Sequence, residues 1–599
     1  MKRILALILA AMMVVCCFAS CTTLEKGDKG AIITVYLADE IYDFDPTQSY
    51  TNDTVAQLTT LMFEGLTVMD DDGNWKKGMM DKYEVLESEE GNTKLQITLR
   101  ETKWSDGRRV QANDFVYAWK RLLEPTFKSD AACLLYDIKN AKEIKMGDNT
   151  VDDLAVNAVE TYLLEIEFNK KIDVDAFFRT VASPALVPLR EDKVGAVNDW
   201  TKEDSEEGEA LIEIWARKSS SMVTNGPFDI RKMVKGSELR LERSSYYYRD
   251  TESNQPLDKY VIPYRLYVKF GVGNEAAQLK AFENGENFYL GDIALAARAD
   301  YADKATVVEN LNTYTYVFNT EVELFSDAKV RRALSLALDR EAIAKAVVYA
   351  DAATGFIPTG IADAKVKADF REAGGELVKA SASVDEAKKL LKEAGVSGGE
   401  FTLTVRNDEV DIAIAKEAKK AWDALGFDVK IDSSLGVETQ KATVENESNT
   451  YVEEFQVAYE EGDFEVIGID YQMLANDAWA ALAPFAPQYS GNGVDMKSGD
   501  YDVYKHVCGY DSADYNKIID EAYAEGDYAK RVELMHKAEE QLMKDMPVVP
   551  VIFLKTGHVV NEDVLSGFDT SFWGAGFFNK VKMKDYMTYK EAIEASENA

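Results

Sequence analysis

Residues 401 to 432 read FTLTVRN, DIAIAKEAKKAWDALG and FDVKID: an alternating strand, a helix and a second strand in close succession. Parallel strands cannot be joined by a tight hairpin, so this order predicts a parallel βαβ unit with its helix packed on the sheet. The neighbouring segments continue that texture. FSDAKVRRALSLALDREAIAKAVVY predicts one strong helix capped by Ser326 or Asp327, with Val330, Leu334, Ala337 and Leu338 on its buried stripe. SVDEAKKLLKEAG opens with a Ser383/Glu386 capping box and ends on Gly395. Helices are expected over Asp514 to Ala524 and Tyr528 to Lys544, before MPVVPVIFLK returns as a strand. Residues 311 to 549 are therefore expected to be helices on a parallel sheet.

The first third has a different texture. AIITVYLAD, KYEVLESE, TKLQITLR and TYLLEIEFN are short alternating strands at close spacing, and DDDGNW between them marks a hairpin turn. LRETKWSDGRRVQANDFVYAWKRLLEP passes from strand through a Ser-Asp-Gly turn to a helix. Asn113 or Asp114 is its candidate cap, Trp104 its anchor, and Phe115, Trp119 and Leu122 share a face. A chain of 599 residues exceeds what one core holds, so two or three domains are expected. With only 12 prolines, the crossings between domains are expected to be short and hinge-like.

Lys2 and Arg3, the apolar run Ile4 to Phe18, and Ala19-Ser20 form a secretory signal over residues 1–20. Residues 21–30 are polar and suit a tether. A formal charge of -37 excludes a nucleic-acid binder, which needs a Lys/Arg surplus to displace counterions. Beyond the signal and Cys21, only Cys133 and Cys508 remain; they have no CxxC spacing, and a bridge between them is open. His506, His536 and His558 form no HExxH pattern, Asp70 to Gly73 lacks the distal Glu of a calcium loop, and neither a P-loop nor a G-x-S-x-G elbow occurs. The search for catalytic spacing returns nothing, which favours a binding protein.

FEGLTVMDDDGNWKKGM, then LRETKWSDGRRVQANDFVYAWKR, VTNGPFDIRKM and YVFNTEVELFSDAKVRRALSLALDREAI appear in that order. Together with the closing EQLMKDMPVVPVIF they resemble the oligopeptide-binding proteins of ABC peptide importers, extracellular solute-binding protein family 5, over about Ile32 to Val560. FASC, Phe18 to Cys21, resembles a lipobox, with Phe18 where an aliphatic residue is usual. The resemblance implies an α/β, bilobed, periplasmic-binding-protein-like fold with an extra β-rich domain inserted in the first lobe and a ligand cleft between lobes. Lobe I would comprise 31–70, 188–310 and 550–599, the inserted domain 71–187, and lobe II 311–549.

It also implies a monomeric, extracytoplasmic, non-enzymatic protein with no cofactor and no metal. The implied partners are an oligopeptide, the permease subunits of an ABC transporter, and the membrane through a lipid on Cys21. The family's G-W-x-A-D-Y-x-D/E-P stretch, whose Asp clamps the peptide ammonium, corresponds to Phe464–Phe485. Ungapped pairing sets Tyr471 at the Trp, Leu474 at the clamp, Asn476 and Asp477 at the polar pair and Ala478 at the Pro. A shift of four sets Asp470-Tyr471 at the Asp-Tyr instead. Asp470 is thus the favoured clamp and Asp477 the alternative, unless no carboxylate holds the ligand. Tyr471 and Gln472 would face Tyr50, Thr51 and Asn52 of the loop after the opening Asp-Pro. The acidic, Trp-containing insertion between Glu191 and Ser221 is expected as a surface helix rather than a lid. Rival readings are another solute in the same fold (dipeptide, nickel chelate, haem or saccharide), a peptide-cue receptor, or an extracytoplasmic enzyme.

Overall fold

A computed structural model describes residues 29–36, 43–47, 53–197, 215–217, 222–234, 238–248, 258–270, 274–291, 293–365, 367–440, 450–495, 502–570, 572–573 and 576–597. The expected signal, the lipidation position Cys21 and the candidate residues Tyr50, Thr51 and Asn52 lie outside the described residues. Of the 191–221 insertion, Glu191–Val197 is helical and Trp215–Arg217 forms a turn whose Trp215 is buried, so that part packs inward. Among the described residues no helix is long and apolar enough to cross a membrane.

The chain begins with β1 (Ile32–Tyr36) and a hairpin of β2 (Thr67–Met69) and β3 (Trp75–Lys77). Four more strands follow: β4 (Met80–Glu87), β5 (Thr93–Leu99), β6 (Val156–Glu160) and β7 (Leu163–Glu167). Then come β8 (Phe228–Val234), β9 (Glu238–Arg243), β10 (Arg265–Lys269), β11 (Tyr289–Leu290) and β12 (Thr306–Phe318). The remainder supplies β13 (Ala350–Ala352), β14 (Gly399–Thr404), β15 (Phe427–Asp432), β16 (Val466–Gln472) and β17 (Val548–Val560).

Three sheets organise these strands. One has the order β1-β10-β9-β8, a second is the antiparallel β4-β5-β7-β6, and the third runs β11-β17-β12-β16-β14-β15 with β13 on β17. In β5, Thr93, Leu95, Ile97 and Leu99 alternate inward, the pattern expected of a sheet covered on one face. The βαβ unit forms as read: β14 and β15 pair in parallel, and the helix Glu409–Asp423 between them buries Ile414, Ala415, Ala418 and Trp422.

The sheet carrying this unit is mixed, where a parallel one was expected. β14 pairs in parallel with β15 and β16, but β12 lies antiparallel to both β16 and β17. The cause is the double crossing of the chain: β12 brings it into this lobe and β17 takes it back, so the two must run in opposite directions. Both are 13 residues long, and their pairing breaks between Glu309 and Asn312, where Leu311 has φ +54°.

Local capping also departs from expectation. The expected long helix is two helices, Ala328–Ala337 and Arg340–Val347, because extended Leu338 breaks it and the Asp339 side chain accepts from Ala342 N–H to cap the second. Asp327 caps the first, and Val330, Leu334, Ala337 and Leu338 are all buried. Ser383 makes no side-chain cap bond, whereas Gly395 closes its helix in the left-handed conformation. At Ala112–Leu123 the cap is Gln111, and Asp114 serves from inside the first turn: its Oδ2 accepts from Gln111 N–H and Trp104 Nε1, both at 2.9 Å.

Three quoted segments lock this corner. Ser105 N–H donates to Thr224 O at 2.8 Å and Thr224 N–H donates back to Ser105 Oγ at 3.1 Å. Asn225 then takes both backbone groups of Glu64, receiving its N–H at 3.1 Å and donating to its carbonyl at 2.9 Å. A Cβ on Gly226 would stand 2.5 Å from the Met62 backbone, so only glycine fits there. All of these groups except Ser105 are buried. Asn225→Leu should strand two buried backbone groups and cost about 2–4 kcal/mol, measured as a lower urea midpoint for unfolding of the first lobe.

Candidate functional site

β14, β15 and β16 point their carboxyl ends the same way, and in open α/β sheets ligands bind beyond such ends. From the end of β16 the chain continues through Met473 to Ala478, every residue of which is buried. Asn476 bridges two distant segments: Nδ2 donates to Gly73 O in the β2–β3 turn at 3.0 Å, and Oδ1 accepts from Ala362 N–H at 2.7 Å. Gly73 has φ +75°, and a Cβ there would lie 3.0 Å from Asn476 Nδ2. The Ala362 segment is itself braced by Glu539, which is fully buried and accepts from Phe356 N–H, Ile357 N–H and Arg371.

Asp477 opens the next helix, Trp479–Leu482, by accepting from Trp479 N–H at 2.8 Å. It also lines a crevice of about 40 Å³ with Cys133, Asp137 and Lys170 on one wall and Tyr528 and Arg531 on the other. The walls come from opposite sides of the two crossing strands. Asp137 spans them, 2.9 Å from Lys170 and 2.5 Å from Arg531. Burial pushes the Asp137 carboxyl up, but the Arg531 and Lys170 charges outweigh that and hold it below the ordinary aspartate range.

More polar and steric contacts close the crevice. Trp479 Nε1 donates to Cys133 O at 3.0 Å, the Arg531 guanidinium lies 4.3 Å from the Trp479 ring centre, and the Tyr523 hydroxyl donates to Tyr136 O at 3.1 Å. Gly491 and Gly493 have φ of +72° and +73° and press so closely on the carbonyls of Ser129 and Pro125 that no side chain fits. The crevice is seen shut, with polar groups from both walls turned inward.

The other predicted positions are placed as follows. Asp470 lies on β16, 3.4 Å from Arg406, beside a small pocket shared with Phe455 and Tyr459. The Tyr471 ring packs on Phe356 at 4.9 Å. Gln472 is buried, its Nε2 donating to Asn310 O at 2.9 Å, and Leu474 is buried too. Of the sequence candidates, Asn476 therefore bonds to both sides and Asp477 lines the crevice between them, while Asp470 stays within one. Asp137, Lys170 and Arg531 escaped the sequence reading because nothing local pairs residue 137 with residue 531. Cys133 and Cys508 are both free and buried, and burial raises both thiols, Cys508 to about 12. Neither is a thiolate nucleophile at neutral pH.

Asp137→Asn should leave the buried Arg531 charge without its partner, a loss of about 3–5 kcal/mol. Because that pair joins the two walls, small-angle scattering should show a larger radius of gyration. Acid should act in the same direction. A carboxylate held below its usual pKa contributes fully above about pH 4 and loses that contribution as pH falls through the lowered value.

Residues 77–492, more than half of the chain, match the family described as "Bacterial extracellular solute-binding proteins, family 5 Middle". The chain is 28% identical over 546 residues to the dipeptide-binding protein DppE of Bacillus subtilis (strain 168), covering 90% of this chain and 89% of that protein. It is 27% identical over 579 residues to the oligopeptide-binding protein OppA of the same organism, with 94% of each covered. Among solved structures, Listeria monocytogenes OppA bound to peptide superposes with a TM-score of 0.72 at 20% identity, covering 93% of this chain and 100% of that one. The α/β architecture is the bilobed one of periplasmic binding proteins. With three of its motifs interlocked and its crevice between two lobes, this chain belongs to the bacterial extracellular solute-binding proteins of family 5.

Proposed function

We propose that this protein captures oligopeptides between its lobes and hands them intact to the permease of an ABC importer, held at the membrane by a lipid on Cys21. The observation that carries this reading is the two-walled crevice at the carboxyl end of β16, where Asp477 faces Asp137, Lys170 and Arg531. A peptide enclosed there loses its water, and each main-chain group needs a partner or costs about 1–3 kcal/mol. Walls carrying carboxylates, cations and backbone amides meet that need for many sequences. Closure about β12 and β17 then converts occupancy into a shape that a permease can recognise. The named relatives, a dipeptide-binding and an oligopeptide-binding protein, support this substrate class.

Asp477 is the carboxylate that we assign to the ligand's ammonium. Asp470 already faces Arg406 from within its own lobe, whereas Asp477 stands between the walls. Asp477→Asn keeps an oxygen to accept from Trp479 N–H, so the fold should survive. It should weaken binding of a free tripeptide at least about tenfold, ~1.4 kcal/mol, and leave an N-acetylated tripeptide unaffected. Equal loss on Asp470→Asn alone would move the clamp to Asp470.

Native mass spectrometry of the purified mature protein tests the substrate class directly. A ladder of peptide masses held in the protein is expected, and dipeptide masses alone would shorten the ligand. A single chelate or sugar mass would overturn the reading, as would hydrolysis of added peptides during incubation.

A further inference from the structure

A separate pocket lies in the first lobe. It encloses about 300 Å³, far more than the shut crevice, and none of its described lining residues comes from 311 to 549. Its occupancy therefore does not require the lobes to close. The walls are aromatic: Tyr247 and Tyr248 stack at 4.2 Å, Tyr260 meets Tyr248 edge-on at 5.6 Å, and Phe63 and Trp573 complete the lining.

Glu64, Arg100 and Asn579 stand among these rings, and Lys77 and Lys580 also line the pocket, their ammonium groups donating to the backbone carbonyls of Asp81 and Tyr260. Glu64 is only 6% exposed, its carboxylate accepts from the Tyr247 hydroxyl, and its backbone is held by Asn225. The Arg100 guanidinium lies 5.3 Å from the Tyr248 ring centre. Its Nε reaches Met80 O at 3.5 Å, while its two terminal nitrogens have no protein hydrogen-bond partner among the described residues. Asn579 is 5% exposed, and its Oδ1 is buried with no donor. A buried oxygen left so destabilises the fold unless a bound group supplies the hydrogen.

These features narrow the ligand. A simple cation would meet Arg100 and the two lysines, a simple anion would meet Glu64, and an apolar molecule would leave Asn579 and Arg100 unsatisfied. A zwitterion with an apolar side chain satisfies all three together with the aromatic walls. We propose that this first-lobe pocket binds a small α-amino carboxylate with an apolar side chain, either a free amino acid or a dipeptide. Its carboxylate pairs with Arg100, its ammonium meets Glu64 and Asn579 Oδ1, and its side chain lies among the tyrosines and Trp573. The site is additional to the crevice between the lobes, so a second solute can be read without competing with a captured peptide.

The test uses the full mature protein with tri-alanine in excess to fill the interlobe crevice. Calorimetry and saturation-transfer NMR then follow L-phenylalanine, L-phenylalanine amide, N-acetyl-L-phenylalanine and Gly-Phe. L-Phenylalanine or Gly-Phe should bind, the tighter of the two identifying the source. The amide, lacking the carboxylate, and the acetyl form, lacking the ammonium, should each bind at least tenfold more weakly. Arg100→Gln and Asn579→Leu should each weaken binding at least tenfold with tri-alanine affinity unchanged. Asn579→Leu removes a buried carboxamide whose Oδ1 has no donor, so its melting temperature should match or exceed the parent's, and it stands as the deciding variant if Arg100→Gln folds poorly. No binding of either zwitterion, equal binding of all four probes, or indifference to Asn579→Leu would overturn the proposal. A failure of tri-alanine itself to bind would bear on the interlobe reading alone, because the zwitterion signal is read independently.

Discussion

The structure depends on a small set of buried hydrogen bonds between segments more than a hundred residues apart. Asn225 holds both backbone groups of Glu64, and Thr224 exchanges bonds with Ser105. Gly226 lets the strand approach the end of the helix Asp53–Met62 without a side chain between them. Such groups cannot fall back on water, so each bond must be made by its partner. The reciprocity explains why three short segments serve as signatures of the fold. Each is the hydrogen-bond complement of another, and changing one alone leaves its partners unsatisfied.

From that rigid corner the architecture follows in order. The corner fixes the first sheet against the antiparallel sheet of β4 to β7, and the chain then crosses on β12 and returns on β17. Two crossing strands with a bulge at Asn310–Leu311 permit bending and resist shear. The shut crevice shows what such bending achieves. Asp137 meets Arg531 only when the walls meet, and the glycines at 491 and 493 remove the side chains that would hold them apart. Closure is thus built in part from polar and steric complementarity across the crevice. A ligand that adds a few bonds across the crevice can tip a balance of this kind. The first-lobe pocket has the opposite character: it is formed within one lobe and is already open in volume.

The elements were readable where local physics decides. Apolar spacing at 414, 415, 418 and 422 located a helix, and alternation at 93, 95, 97 and 99 located a strand. Gly395 marked a helix end through its freedom at positive φ. Misreadings arose where two local signals competed or where direction mattered. Asp339 offered a cap in the middle of an apolar stripe and split one helix into two. The antiparallel placement of β12 cannot be seen in its own residues, because strand direction is set by where the chain must go next. The sequence favoured Asp470 over Asp477 as the clamp, yet β16 and its loop turn the two acids toward different neighbours.

By itself the sequence determined the secondary elements, the family signatures and the absence of a surplus of positive charge, since these depend on residues near one another along the chain. Tertiary structure alone decided that Asp137 opposes Arg531, that Asn476 reaches Gly73, and that Glu64, Arg100 and Asn579 line one aromatic pocket. Those encounters join positions separated by hundreds of residues. Burial, which converts an ordinary acid or amide into a group that must find a partner, exists only once the chain has folded around it.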